Sequence, residues 1–201
     1  MSDIALDAEP KPNAFKLVAL QPYLDMFRFK GRTARSTFWL HMVMAYIFSY
    51  ALSAVTMSLF FDMARFEEAV ILAENDPAIF QGVMADFSSA LLPAMLVSLA
   101  AFVALPSMLV RRMHDTGRSG WWAAPYLLIS LLGAIVSFVY LPKFMNSVSD
   151  QDVEAIKSLV FSGLAIGAVS FVIMVVTIVL AALKGDPEVN RYGAPPPSAI
   201  S

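Results

Sequence analysis

Arg111-Arg112-Met113-His114-Asp115-Thr116-Gly117-Arg118-Ser119-Gly120 is a polar stretch set between two apolar ones, 90–110 and 121–141, neither of which holds a charged residue. Each flank is long enough to cross a hydrocarbon core of ~30 Å as a helix. The polar stretch therefore reads as a tight hairpin loop at one membrane face, crowding three arginines, a histidine and an aspartate.

Two more stretches, 38–61 and 158–183, are equally long and free of Asp, Glu, Lys and Arg. The expected fold is an all-α membrane protein with four transmembrane helices, about 38–61, 90–110, 121–141 and 158–183, in a single domain over 15–193. Composition agrees: 58% of the 201 residues are hydrophobic and 15% charged, with a mean hydropathy of +0.66, against about 25% charged in soluble domains. With no cysteine there is no disulfide, thiol nucleophile or thiolate metal site, and His41 and His114 are too few for a histidine-built one. No metal, no cofactor and no nucleic-acid partner is expected.

Orientation follows from the cations outside the spans. Lys11, Lys16, Arg28, Lys30, Arg32, Arg35, Arg111, Arg112, Arg118, Lys184 and Arg191 fall on one side; Arg65, Lys143 and Lys157 fall on the other. The positive-inside rule puts both termini and the hairpin in the cytoplasm of a bacterial inner membrane. The opposite loop, 62–89, is acidic, with Asp62, Glu67, Glu68, Glu74, Asp76 and Asp86. Trp39, Trp121 and Trp122 sit where aromatic belts form.

Local signals mark the boundaries. Residues 1–14 are acidic and proline-containing, read as a disordered tail rather than a signal peptide. Residues 15–30 mix large apolar side chains with Lys16, Arg28 and Lys30 and read as an interfacial segment. Thr33 is a candidate N-cap for the first span, and Ser119 for the third. Asp76-Pro77 is a helix-start signal, with 77–88 lying on the outer surface or continuing into the second span. Ser149 or Asp150 is expected to cap the last helix. Pro93, Pro106 and Pro125 are candidate kinks. Residues 194–201 form an extended polar tail.

Three basic segments are expected to meet at the cytoplasmic face: Phe27 through Trp39 (FRFKGRTARSTFW), the hairpin running into Trp121-Trp122 (RRMHDTGRSGWW), and Lys184 through Gly193 (KGDPEVNRYG). These blocks resemble those of the domain-of-unknown-function 805 family, the YhaH-like bacterial inner-membrane proteins, over about residues 23–193. Thr37 is a departure, since such proteins often carry an acid before the aromatic. The resemblance implies fold and location and no biochemical activity.

Two readings of the basic residues stand side by side. In one they brace the loop. Arg111 and Arg112 face free carbonyls at a helix C-terminus, Gly117 and Gly120 take backbone angles other residues avoid, and Asp115 pairs with Arg118, Arg32 or Arg35. In the other, Arg32, Arg35, Arg111, Arg112, His114, Asp115, Arg118, Asn190 and Arg191 bind an anionic headgroup or phosphate. Catalysis by His114 and Asp115 is the weaker idea, because adjacent loop residues diverge and no nucleophile is evident. His41 reads as an interfacial or packing residue. Gly163 and Gly167, like Ser49 and Ser53 or Gly133 and Ser137, have the spacing that lets membrane helices approach. The leading expectation is a small scaffold or accessory protein engaging anionic membrane lipids, a membrane-protein partner or a second copy of itself. A transporter or channel component, and a membrane enzyme acting on a lipid phosphate, are the alternatives.

Overall fold

The computed structural model describes residues 13, 15–72, 77–149 and 152–197. All of the N-terminal tail but Asn13, with Asp76, Asp150 and 198–201, lies outside them. A π-helical segment, Lys16–Leu20, runs into the single turn α1, Gln21–Leu24. Then come α2 (Arg35–Phe60), α3 (Met63–Leu72), α4 (Pro77–Ala101), α5 (Leu105–Asp115), a 3₁₀ turn at Gly120–Ala123, α6 (Ala124–Ser149) and α7 (Val153–Ala182). Four stretches are long and apolar enough to cross a membrane: Arg35–Phe60, Gln81–Asp115, Gly120–Tyr140 and Val153–Ala182. The 26 residues of α2 alone span about 39 Å.

These helices are apolar on every side, and most of that surface faces outward. Ile47, Phe48, Tyr50, Leu128, Leu131, Phe161, Leu164 and Val172 are all exposed, as expected where lipid is the solvent. α2 packs on α4, α6 on α7, and α4 also touches α6. Between α2 and α4, Ser53 Oγ lies 3.1 Å from Ser98 Oγ, the polar cross-helix contact that small residues permit. The close approach expected at Gly163 and Gly167 is not made. A Cβ on either would meet nothing within 4 Å, and both line a cavity of about 480 Å³ with Gly133.

The second span is broken in two. Pro106, at the start of α5, has no amide to donate to the Phe102 carbonyl, and its ring crowds the preceding turn. The chain turns instead through Phe102–Ala104, where the Leu105 amide bonds the Phe102 carbonyl at 3.0 Å. This leaves the Ala101 carbonyl without its helical partner, and the Tyr23 hydroxyl donates to it at 2.8 Å. Burial pushes the Tyr23 phenol above its ordinary pKa, keeping it a donor. Pro93, by contrast, stays inside α4. The break tips α5 into the end of the bundle. There Met108, Leu109 and Met113 form a core with Phe38, Ala123 and Ala181.

Four boundary expectations are corrected. The polar stretch is not a loop over 111–120: α5 continues through Asp115, and only 116–119 connect it to the 3₁₀ turn. Thr33 is not an N-cap. Ala34 occupies that place without a side-chain bond, because the Thr33 amide is drawn to the Arg111 carbonyl at 3.2 Å. Asp152, rather than Ser149 or Asp150, caps α7 by accepting from the Ala155 amide. Ser119 precedes the 3₁₀ turn but makes no side-chain cap. Pro77 does begin a helix, and that helix continues into the second span.

Candidate functional site

α5 ends in a Schellman motif. The Gly117 amide bonds the His114 carbonyl at 3.0 Å and the Arg118 amide bonds the Met113 carbonyl at 3.0 Å. Gly117 takes φ +74°, which a Cβ would disfavour. This hard stop holds the last turn of α5 against two other segments: the approach to α2, and the chain leaving α7.

Asp115 is the centre, only 3% exposed. Arg32 Nη2 lies 2.9 Å from its Oδ1, and Arg112 pairs with its Oδ2. Two cations on one carboxylate leave an uncompensated positive charge, which carbonyl oxygens absorb. Arg32 Nη1 donates to the Glu188 carbonyl at 2.7 Å and the Gly193 carbonyl at 3.2 Å, and Nη2 to that of Asp186. Arg112 Nε donates to the Ala181 carbonyl at 2.8 Å, Nη1 to that of Thr33 at 3.4 Å, and Nη2 to that of Leu183. Ala181 and Leu183 sit at the C-terminus of α7, where unpaired carbonyls and the helix dipole favour a cation. Arg35 approaches the same end, 3.4 Å from the Ala182 carbonyl. Every nitrogen of Arg32 and of Arg112 is thus already bonded within the protein.

The outgoing chain is fastened by its backbone. The Asp186 amide bonds the Asp115 carbonyl at 2.7 Å. Asn190 Nδ2 donates to the His114 carbonyl at 3.1 Å, while its Oδ1 accepts from the Tyr192 amide at 2.9 Å. The turn closes with the Gly193 amide on the Asn190 carbonyl at 2.9 Å, and Gly193, at φ +123°, presents its own carbonyl to Arg32. Tyr192 stacks flat on His114, ring centroids 3.8 Å apart.

Of the residues expected to share a site, Arg32, Arg112, His114, Asp115 and Asn190 come together. Asp115 pairs with Arg32 and Arg112, not with Arg118 or Arg35. His114 points away from its neighbour's carboxylate: Nδ1 is 3.1 Å from the Gly31 carbonyl, so it carries the proton. Arg111 turns to the other side of α5 and faces Asp25 at 3.4 Å. Arg191 is exposed, its guanidinium 4.8 Å from the Tyr192 ring centroid. Arg118 is half-buried and makes no ion pair among the described residues. His41 is buried, donating from Nδ1 to the Val18 carbonyl at 2.8 Å and meeting the Tyr23 ring edge-on.

The residues that sequence reading missed act mainly through their backbones. Carbonyl acceptors at Asp186, Glu188 and Gly193 leave no mark in side-chain chemistry. Gly185 is different. A Cβ there would collide with the Asp115 carboxylate, and a glycine immediately after a span was a visible signal of close approach.

Four apolar spans, closed at one end by a buried arginine–aspartate knot, define a multi-pass membrane protein whose polar end is tied from three segments. The family described as "Protein of unknown function (DUF805)" matches residues 26–194, and the chain belongs to it. No curated protein and no solved structure matches the chain.

Proposed function

We propose that this is a non-enzymatic scaffold or accessory protein of the bacterial inner membrane. Its termini and its α5–α6 connection face the cytoplasm, and its basic surface there engages anionic lipid. The distribution of cations supports this, with eleven of the fourteen Lys and Arg in the segments read as cytoplasmic.

One observation carries the reading: two classes of cation occupy that end. Arg32 and Arg112 are buried and fully bonded, and their work is to hold the segments together. Arg28, Lys30, Arg35, Lys184 and Arg191 are exposed around them. Near an anionic leaflet each such cation is attracted by about 1 kcal/mol. Since His114 stacks on Tyr192 instead of meeting Asp115, a histidine–aspartate proton relay has no support.

The test neutralises cations that make no contact with Asp115: Arg35→Gln, Arg118→Gln, Lys184→Gln and Arg191→Gln together. Native mass spectrometry counts the phosphatidylglycerol and cardiolipin carried through gentle purification. The expected result is a lower count at an unchanged melting temperature. A wild-type lipid complement on the variant contradicts the reading.

A further inference from the structure

On the opposite side of α5 from the knot lies a cavity of about 270 Å³. Its walls come mostly from the chain between Leu17 and Ala34, with Thr37 in the first turn of α2, Met108 and Arg111 of α5, and Pro196 and Pro197 of the outgoing chain at its border. Arg32 and Thr33 border both this cavity and the knot.

Three features converge there. Thr37 lines the cavity, is 6% exposed, and its Oγ1 is the buried side-chain polar atom without a partner among the described residues. Buried hydroxyls are rarely left so, because they forfeit hydration without replacement. Ala34, which precedes this first turn, gives it no side-chain cap, and the α2 dipole presents its positive end at this side of the cavity. Arg111, 9% exposed, reaches the same space, held only at long range: 3.3 Å to the Ser107 carbonyl and 3.4 Å to Asp25 Oδ2.

The charges select the ligand. Arg28, Lys30 and Arg111 face one acid, Asp25. The other lining arginine, Arg32, already serves Asp115. Gln21 Nε2 holds Asp25 Oδ2 at 2.8 Å, while among the described residues Oδ1 has only Arg28 at 3.9 Å and can accept from a hydroxyl. Leu17, Pro22 and Met108 add an apolar wall.

We infer that this cavity binds a phosphate ester carrying a neighbouring hydroxyl. The phosphate lies against Arg111, Thr37 Oγ1 and the α2 N-terminus, and the hydroxyl against Asp25. A glycerophospholipid headgroup and a soluble glycerophosphate share that chemistry. The inference rests on reading this face as anion-engaging and narrows it to one stoichiometric site.

The full chain in phosphatidylcholine nanodiscs is titrated with sn-glycerol 3-phosphate, and native mass spectra are taken from nanodiscs containing phosphatidylglycerol. Saturable binding of the soluble ester assigns a metabolite. One tightly retained phosphatidylglycerol with no response to the ester assigns a lipid. In either case Thr37→Val weakens binding about tenfold, as loss of a hydrogen bond to a charged group does. Thr37→Ser keeps the binding, and Thr37→Glu, which sets a carboxylate against Arg111, abolishes it. Lys30→Glu lies on the exposed rim, cannot disturb the core, and lowers affinity severalfold. Absence of both kinds of binding, or binding indifferent to Thr37→Glu and Lys30→Glu, overturns the site. The Arg35, Arg118, Lys184 and Arg191 variant lacks no cavity residue, so loss of general lipid retention there and loss of this single site fail separately.

Discussion

Gly185 and Asp115 touch so closely that no side chain fits between them: a Cβ on Gly185 would overlap the Asp115 carboxylate. Gly185→Ala must therefore move either the carboxylate from Arg32 and Arg112 or the outgoing chain from α5. The expected cost is about 1–3 kcal/mol, the range for overpacking. In an Asp115→Ala background the clash is gone, so the same substitution should be nearly free. Thermal denaturation of the four proteins in detergent checks this; equal costs in both backgrounds would show that the contact does not matter.

Asp115→Asn removes the only negative charge between two buried guanidinium groups. Breaking a buried pair while leaving its partner in place costs about 3–5 kcal/mol. Asp186→Ala is the control. Among the described residues the Asp186 side chain accepts only from the Glu188 amide, at 3.2 Å, while its backbone, unaffected by the substitution, makes the contact with Asp115. Its expected cost is within about 0.5 kcal/mol, typical of a surface change. Similar melting temperatures for the two variants would argue against the knot.

Arg118 separates bracing from lipid engagement. The Schellman motif uses its amide, not its guanidinium, so Arg118→Ala should leave stability within about 0.5 kcal/mol of wild type. Retained phosphatidylglycerol should fall. A large loss of stability with no selective change in lipid would return Arg118 to a bracing role.

Topology is checked by reporter fusions. Cytoplasmic signals are expected at residues 20, 116 and 195, and periplasmic signals at 75 and 148, from the asymmetry in Lys and Arg. A periplasmic signal at 116 would invert the arrangement.

Much of this was legible in the sequence. Four uncharged apolar stretches can hardly be anything but spans, and the meeting of the three basic blocks followed from their polar content. The errors have physical causes. A run of charged residues after an apolar stretch resembles the end of a helix, yet Arg112 and Asp115 are one turn apart and can pair without leaving it. Thr33 has the right chemistry for a cap, but its amide was claimed by the Arg111 carbonyl, which lies 78 positions away and leaves no local trace. The cavity beside Thr37 was invisible for the opposite reason: it depends on a partner that is missing, which only packing reveals.

The latch between Arg32 and Asp115 is the central claim, since it joins residues 83 positions apart and leaves the exposed cations to act outward. A double-mutant cycle with Arg32→Ala, Asp115→Ala and the pair tests it most directly, read as unfolding free energy in detergent. Direct partners in one network couple by about 0.5–3 kcal/mol, and the prediction is a value in the upper half of that range. Costs that simply add, within about 0.3 kcal/mol, would contradict it.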